Sequence, residues 1–164
     1  MKKVYLDQTN ATMCVGVYLK DAQIIPAGAT ISSMSVRHKN SEYERYAEEY
    51  DIHFIFDDAI PTLDFYTIPQ VDIFATDSRG GYIGSLGAMA DLDGKAPICY
   101  IDAQKHCYRI AENAHTFLEH VENWHQLLTP CDDVELYASL VEAAKKYEFL
   151  DRASVEQSLR EVKP

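Results

Sequence analysis

The amino-acid sequence predicts an α+β fold: an antiparallel sheet of about four to six strands, covered by flanking helices and followed by a helical C-terminus. Three observations predict this class. Residues 71–111 contain alternating or continuous apolar runs between clusters of turn residues, and residues 113–128 repeat apolar side chains at spacings of three and four. The intervening turns are too short for parallel crossovers, so the strands should form an antiparallel meander with one face under the helix.

The region before this core is predicted to contain one helix. Ser41 followed three residues later by Glu44 has the pattern of a capping box, and it predicts a helix over residues 42–50 with one acidic side. In residues 1–40 neither the helical nor the strand period dominates, so no element is assigned there.

Two strands are predicted between this helix and the core. Apolar residues alternate in 51–56, which indicates a strand with one buried face. Residues 63–68 indicate a second strand. Pro69 follows it and cannot donate to a ladder, so this strand should lie at an edge or corner of a sheet.

The core, residues 71–128, is predicted to form four strands and the principal helix. The strands are expected at residues 71–75, 82–86, 98–101 and 107–110. Asn113 is the expected cap of the helix. Its apolar stripe comprises Ala114, Phe117, Leu118, Val121, Trp124 and Leu128.

Residues 130–164 are predicted to be helical. Thr129 is a candidate cap with proline at the first helical position, and residues 137–147 carry a second apolar stripe. Ser154 resembles the start of a short final helix. Because the sequence contains neither an internal repeat nor a low-complexity linker, residues 1–164 are expected to form a single domain.

Charge is the strongest compositional signal. The chain has 26 acidic and 15 basic side chains, a formal net charge of −11, and therefore repels nucleic acid and anionic membranes. Such a charge is typical of many soluble acidic proteins. It also suits a surface matched to a basic protein partner.

The cysteines and the N-terminus predict a reduced, cytoplasmic protein. Cys14, Cys99, Cys107 and Cys131 are widely spaced without a C-x-x-C pair, which argues against a zinc ribbon or a thioredoxin-type motif. Polar residues interrupt the N-terminus before an apolar segment of signal-peptide length develops. No window approaches the length of a transmembrane helix.

The sequence contains one candidate phosphate-binding loop and one candidate metal site. Four glycines suggest the loop, but strand-like sequence follows them where a helix would be needed, so turns and bulges are the preferred interpretation. They are Gly80, Gly81, Gly84 and Gly87. The metal candidate is His115, Glu119 and Glu122, which would share a helical face, although a solvated polar face explains them without further assumption and is the preferred interpretation. No cofactor and no resident metal are predicted.

Cys99, His106 and Cys107 flank one predicted hairpin, which would bring a thiol near an imidazole as a cysteine hydrolase requires. A regular hairpin offers no evident anion-stabilising donors, however. Buried cysteines that act as small apolar side chains are therefore the preferred interpretation.

Residues 69–118 resemble the SUKH superfamily, which includes the yeast Smi/Knr-type cell-wall regulators and many bacterial immunity proteins. In that family an aspartate ends a central strand before a glycine-bearing turn, a hairpin follows, and a capped Phe-Leu helix packs on the sheet. The matching residues are 71–77, Gly80, Gly81, 97–102, 108–113, Phe117 and Leu118. The resemblance implies a sheet with flanking helices, no catalytic residues, and a protein-binding role.

The leading hypothesis is a non-enzymatic protein-binding module that neutralises a cognate toxin by covering its active site. A nuclease toxin is the class that the charge favours, since its substrate groove would be basic. The predicted contact residues are Glu44, Glu48, Glu49, Asp57 and Asp58. The first alternative is an intracellular Smi/Knr-like regulator or scaffold. A small Cys/His hydrolase is a second and less favoured alternative. The sequence specifies neither the partner nor an oligomeric state.

Overall fold

The computed structural model describes residues 2–9, 22–87 and 95–150. Within these ranges the chain has an α+β fold. Its strands are β1 (Lys2–Asp7), β2 (Ala22–Ala27), β3 (Ala29–Ile31), β4 (His53–Phe54), β5 (Tyr66–Ile68), β6 (Val71–Thr76), β7 (Tyr82–Leu86), β8 (Ile98–Ile101), β9 (Cys107–Ala111), β10 (Thr129–Pro130) and β11 (Glu135–Tyr137). The α-helices are α1 (Ser41–Tyr50), α2 (Ala114–Glu119) and α3 (Leu140–Ala144), with 3-10 turns at Val36–His38 and Val121–Gln126. None of these helices is long and apolar enough to cross a membrane.

The predicted meander forms the centre of the largest sheet. β6, β7, β8 and β9 are neighbours in chain order, and each adjacent pair is antiparallel. β10 continues this sheet beyond β9, while β3 and β4 both pair with β6 at its other side.

The expectation of a purely antiparallel sheet was wrong. β3 runs parallel to β6, and β1 and β2 form a separate parallel pair. Parallel neighbours require a long connection. Residues 32–70, which include α1, supply that connection between β3 and β6.

The central strands are buried on both faces, although only one covered face was expected. On β8, Ile98 and Tyr100 pack into the apolar cluster that contains Trp124. Cys99 and Ile101 point the other way, into a cluster with Phe65 and Val134. The second face is covered because the segments that carry Phe65 and Val134 fold across it.

The two strands predicted before the core are shorter than expected. β4 comprises two residues, and Ile55 is buried together with Ile52 and Phe56, so the alternation inferred for 51–56 is only partly present. β5 ends immediately before Pro69, as predicted. It pairs with β11 in a two-stranded sheet outside the main one.

Helix α1 begins at Ser41, one residue before the predicted start, and its capping residue is Asn40. The side chain of Asn40 accepts hydrogen bonds from the backbone amides of Glu42 (2.9 Å) and Tyr43 (3.4 Å), whereas Ser41 is already helical. At the other end, Asp51 adopts the left-handed conformation with φ of 57° and terminates the helix.

The principal helix is not continuous. Asn113 caps it as predicted, by accepting a 2.8 Å hydrogen bond from the amide of Thr116. The α-helix ends at Glu119, and a 3-10 segment with non-helical angles at Asn123 follows. Trp124 is buried beyond this break, while Leu118, assigned to the apolar stripe, is 48% exposed.

The prediction of helix from residue 130 onward was wrong for the segment up to residue 137. This segment contains the two short strands β10 and β11, which pair with β9 and β5. Within the described residues after β11, up to Leu150, only α3 is an α-helix, and Val141 in its predicted stripe is 68% exposed. The final helix predicted at Ser154 lies outside the described residues.

Candidate functional site

A groove lies between α1, β4 and the loop after β4, and we call it the α1–β4 groove. It consists of two adjoining hollows of about 200 and 230 Å³. Its lining residues are Lys39, Tyr43, Glu44, Ala47, His53, Phe54, Ile55, Phe56, Asp58, Ala59, Pro61 and Thr76.

The centre of the groove is aromatic. The ring of Tyr43 meets the rings of Phe54 and Phe56 edge to face, with centroid separations of 5.3 and 5.5 Å. Such packed ring pairs are stabilising and limit rotamer freedom. The groove therefore presents a preorganised apolar surface.

A lysine of the chain itself rests on this aromatic surface. The ammonium of Lys39 lies 5.2 Å from the centroid of the Phe56 ring, within the range of a cation–π interaction. Lys39 is exposed. The position over Phe56 is consequently one that attracts a cationic side chain.

The five predicted contact residues are all exposed, but they do not all lie at the α1–β4 groove. Glu44, on α1, lines one hollow of the groove, and Asp58, on the loop after β4, lines the other. Glu48 follows Glu44 by one helical turn. The groove therefore carries carboxylates beside its aromatic centre.

The other two predicted residues have different surroundings. The carboxylate of Asp57 accepts a 3.3 Å hydrogen bond from the amide of Val36. Glu49 lies 3.3 Å from the guanidinium of Arg45, about 140° around the helix from Glu44, so it does not share the groove face. Their part in binding stays a prediction.

Exposed apolar side chains flank the groove. Ile60 is 54% exposed between two lining residues, and Val36 is 41% exposed next to Asp57. Apolar surface beside aromatic and charged groups is the usual composition of a protein-binding site.

The hairpin cysteines are poorly placed for catalysis. Cys99 is buried, and a hydrogen bond with Cys99 together with burial raises the pKa of the Cys107 thiol. His106 is exposed, with its Nδ1 atom 3.5 Å from a carboxylate oxygen of Asp102. The thiolate that a cysteine nucleophile needs is therefore disfavoured.

The predicted metal triad is not assembled. His115 and Glu119 form an exposed pair with 2.7 Å between Nε2 and Oε1. Glu122 lies in the 3-10 segment after the end of α2, so the helical spacing that placed it on their face does not hold.

The glycines occupy turns and a strand. Gly80 has a φ of 83° in the turn after β6, and strand β7, not a helix, follows it. Gly84 lies within β7, where a β-carbon would come 2.7 Å from the carbonyl oxygen of Asp72. These positions agree with the preferred interpretation of turns and close backbone approach.

Sequence reasoning missed a polar cluster around Asp77. One of its carboxylate oxygens accepts hydrogen bonds from the amides of Arg79 (3.1 Å) and Gly81 (2.7 Å), and the other accepts from the hydroxyl of Tyr100 (2.6 Å). The Asp77 side chain is completely buried. Its charge is thus satisfied by donors from the turn and from β8.

Asp51 and His125 complete this cluster. Asp51 accepts hydrogen bonds from the amide (2.9 Å) and hydroxyl (2.8 Å) of Ser78. Burial opposes ionisation of Asp51, but these bonds outweigh it and lower its pKa. His125 approaches Asp77 with 3.4 Å between Nε2 and Oδ2. The three residues are far apart in the chain, and no local pattern connects them.

Comparison of the chain with protein-family models, with curated proteins and with solved structures finds no match.

Proposed function

We propose that this chain is a non-enzymatic protein-binding module that neutralises a cognate toxin by direct contact, as the SUKH immunity proteins that it resembles do. The observation that carries the proposal is the α1–β4 groove. It combines an aromatic centre, flanking apolar side chains and the carboxylates of Glu44 and Asp58.

Charge favours a basic partner. The net charge of −11 attracts a positively charged protein over long range and raises the association rate. At short range, an arginine or lysine of the partner fits over Phe56, where Lys39 now rests, with Glu44 beside it. A nuclease domain, whose substrate groove is basic, is the toxin class that such a surface would recognise.

Co-expression tests the function. The chain is produced together with the product of the neighbouring gene, and growth is compared with that of cells that express the neighbour alone. Rescue of growth and co-purification of the two proteins are the expected results. If the neighbour is toxic and the chain neither rescues growth nor binds it, the immunity proposal fails.

Charge reversal tests the surface. Glu44→Lys combined with Asp58→Lys should weaken binding, because two carboxylates of the groove become cations. The matched control is Glu112→Lys combined with Glu119→Lys, which changes net charge equally outside the groove. Equal loss in both variants would show that only overall charge matters, and unchanged binding in the first would remove the groove from the interface.

A regulator or scaffold of the same fold is the alternative. The neighbouring gene distinguishes the two: a large secreted protein with a variable C-terminal toxin domain favours immunity, and a metabolic operon favours regulation. A cysteine hydrolase is disfavoured because the pKa of Cys107 is raised.

A further inference from the structure

Asp51, Asp77 and His125 converge from three different elements. Asp51 ends α1, Asp77 ends β6, and His125 lies in the 3-10 segment after α2. One donor atom from each residue lies within 4.8 Å of the other two. The cluster therefore combines two carboxylate oxygens with one imidazole nitrogen.

The spacing between His125 and Asp77 is long for a direct hydrogen bond and leaves room for a shared metal ion. Their atoms Nε2 and Oδ2 are 3.4 Å apart, beyond the range of about 2.7–3.2 Å that is usual for an N–H···O hydrogen bond. A tetrahedral ion with bonds of about 2.0–2.1 Å holds neighbouring ligand atoms about 3.3–3.4 Å apart. The distance between Nε2 of His125 and Oδ2 of Asp77 matches that ligand separation, and the donor atom of Asp51 lies within 4.8 Å of both.

The donors are held by surrounding contacts. The His125 ring packs on Trp124 with 3.6 Å between centroids, and the Trp124 indole donates a 2.7 Å hydrogen bond to the carbonyl of Tyr50, next to Asp51. Tyr100 fixes Asp77 through a hydrogen bond to Oδ2, the oxygen that also faces His125. Outer contacts of this kind orient the ligands of protein metal sites.

The cluster is also accessible. The side chains of His125 and Asp51 are 24% and 26% exposed, while that of Asp77 is 0% exposed. An ion could enter from solvent and keep a water ligand. His53 also contacts the cluster, with its Nε2 3.0 Å from Oδ1 of Asp51.

We propose that Asp51, Asp77 and His125 bind a divalent first-row transition metal of the Zn²⁺ type. One imidazole and two carboxylates suit Zn²⁺, whereas Mg²⁺ and Ca²⁺ require six or more oxygen ligands. This inference is independent of the proposed toxin binding.

Metal titration of the full chain tests the site. After treatment with EDTA and dialysis, one equivalent of Zn²⁺ should bind by calorimetry and raise the melting temperature. Equal concentrations of Mg²⁺ and Ca²⁺ should do neither. Absence of stoichiometric Zn²⁺ binding would overturn the proposal.

Cobalt identifies the ligands. Co²⁺ at this site should show the visible bands of a tetrahedral ion and quench the fluorescence of Trp124, because His125 lies against the indole. Trp124 is the single tryptophan of the chain, so the signal is unambiguous. Near-ultraviolet thiolate charge-transfer bands would instead place the ion on cysteines and refute the assignment.

Variants separate this site from the exposed histidine–carboxylate pair on α2. His125→Gln and Asp51→Asn should each weaken Zn²⁺ binding at least about tenfold. His115→Gln, which removes the exposed partner of Glu119, should leave it unchanged. The reverse pattern would assign the metal to α2 and overturn the proposal. If a variant does not fold, the unaltered chain still tests the site. Quenching of Trp124 fluorescence by Co²⁺ would support it, and absence of quenching would contradict it.

Discussion

The hydroxyl of Tyr100 donates a 2.6 Å hydrogen bond to Oδ2 of Asp77, a carboxylate with no exposed surface. Burial and this bond raise the pKa of Tyr100, so the tyrosine stays a neutral donor. The pair connects β8 to the turn after β6. Removal of the Tyr100 hydroxyl leaves the buried Asp77 carboxylate with one hydrogen-bond donor fewer.

Tyr100→Phe should therefore lower the free energy of unfolding by about 1.5–3 kcal/mol. Urea denaturation followed by circular dichroism measures the change. Tyr108→Phe is the control, since the Tyr108 hydroxyl on the neighbouring strand makes no hydrogen bond within the described residues. Equal stability of the two variants would contradict the importance of the Asp77 contact.

Gly81→Ala should also destabilise the chain, by about 1–3 kcal/mol, because a β-carbon at this position would overlap the ring and hydroxyl of Tyr100. Ser85→Ala, at a partly exposed position of β7, is the comparison and should cost less. Melting temperatures of the two variants check the order, and a smaller loss in Gly81→Ala would contradict the close approach.

Stability should fall as the pH is lowered from about 4.5 to about 2, in part because of Glu135. Hydrogen bonds from Tyr137 and Tyr147 lower the pKa of Glu135 to about 2 from its ordinary 4.5. In this window the unfolded chain takes up a proton at Glu135 and the folded chain does not, so the stabilisation present above pH 4.5 is lost on the way down.

Glu135→Gln should make the acid-induced loss of stability smaller, and should destabilise the chain at pH 7. Urea midpoints at pH 3 and pH 7 measure both effects. Glu112→Gln, at an exposed position, should leave the pH dependence as it is. If Glu135→Gln and the unaltered chain show the same dependence of stability on pH, Glu135 does not contribute to the acid-induced loss.

The cysteines of the main sheet should react slowly with iodoacetamide at pH 8. Cys99 is buried, and the pKa of the Cys107 thiol is raised by its hydrogen bond with Cys99 and by burial. Mass spectrometry of peptides distinguishes the sites, and the urea-unfolded chain provides the fast reference rate. Rapid modification of Cys107 in the folded chain would revive the hydrolase hypothesis.

Local patterns were sufficient for the centre of the fold. The strands begin at Val71, Tyr82, Ile98 and Cys107, as predicted, because each start follows a turn and coincides with an alternating or apolar run. The cap at Asn113 could also be predicted from the sequence, since Asn113 and the first helical residues are neighbours in the chain.

Tertiary pairing overrode local signals elsewhere. Thr129 and Pro130 have the sequence of a helix start, yet they pair with Arg109 and Tyr108 of β9. The parallel strands join residues too far apart in the chain for any periodicity to reveal.

The candidate surfaces could be predicted only in part. Glu44 and Asp58 each line one hollow of the α1–β4 groove, and their part in binding stays a prediction. Asp51 and His125 meet only through the break after α2, which places Trp124 against Tyr50. The amphipathic pattern of residues 113–128 gives no sign of that break. The cluster of Asp51, Asp77 and His125 therefore could not be inferred from the sequence.

The contact between β1 and the segment after α3 affects how the chain folds as it is made. The amide of Tyr5 donates to the carbonyl of Glu148, and the amide of Leu150 donates to the carbonyl of Tyr5, each at 2.9 Å. One edge of β1 therefore remains open on a nascent chain until Leu150 has been synthesised. Because closure across such a long sequence separation is entropically slow, β1 is completed late although it is synthesised well before Leu150.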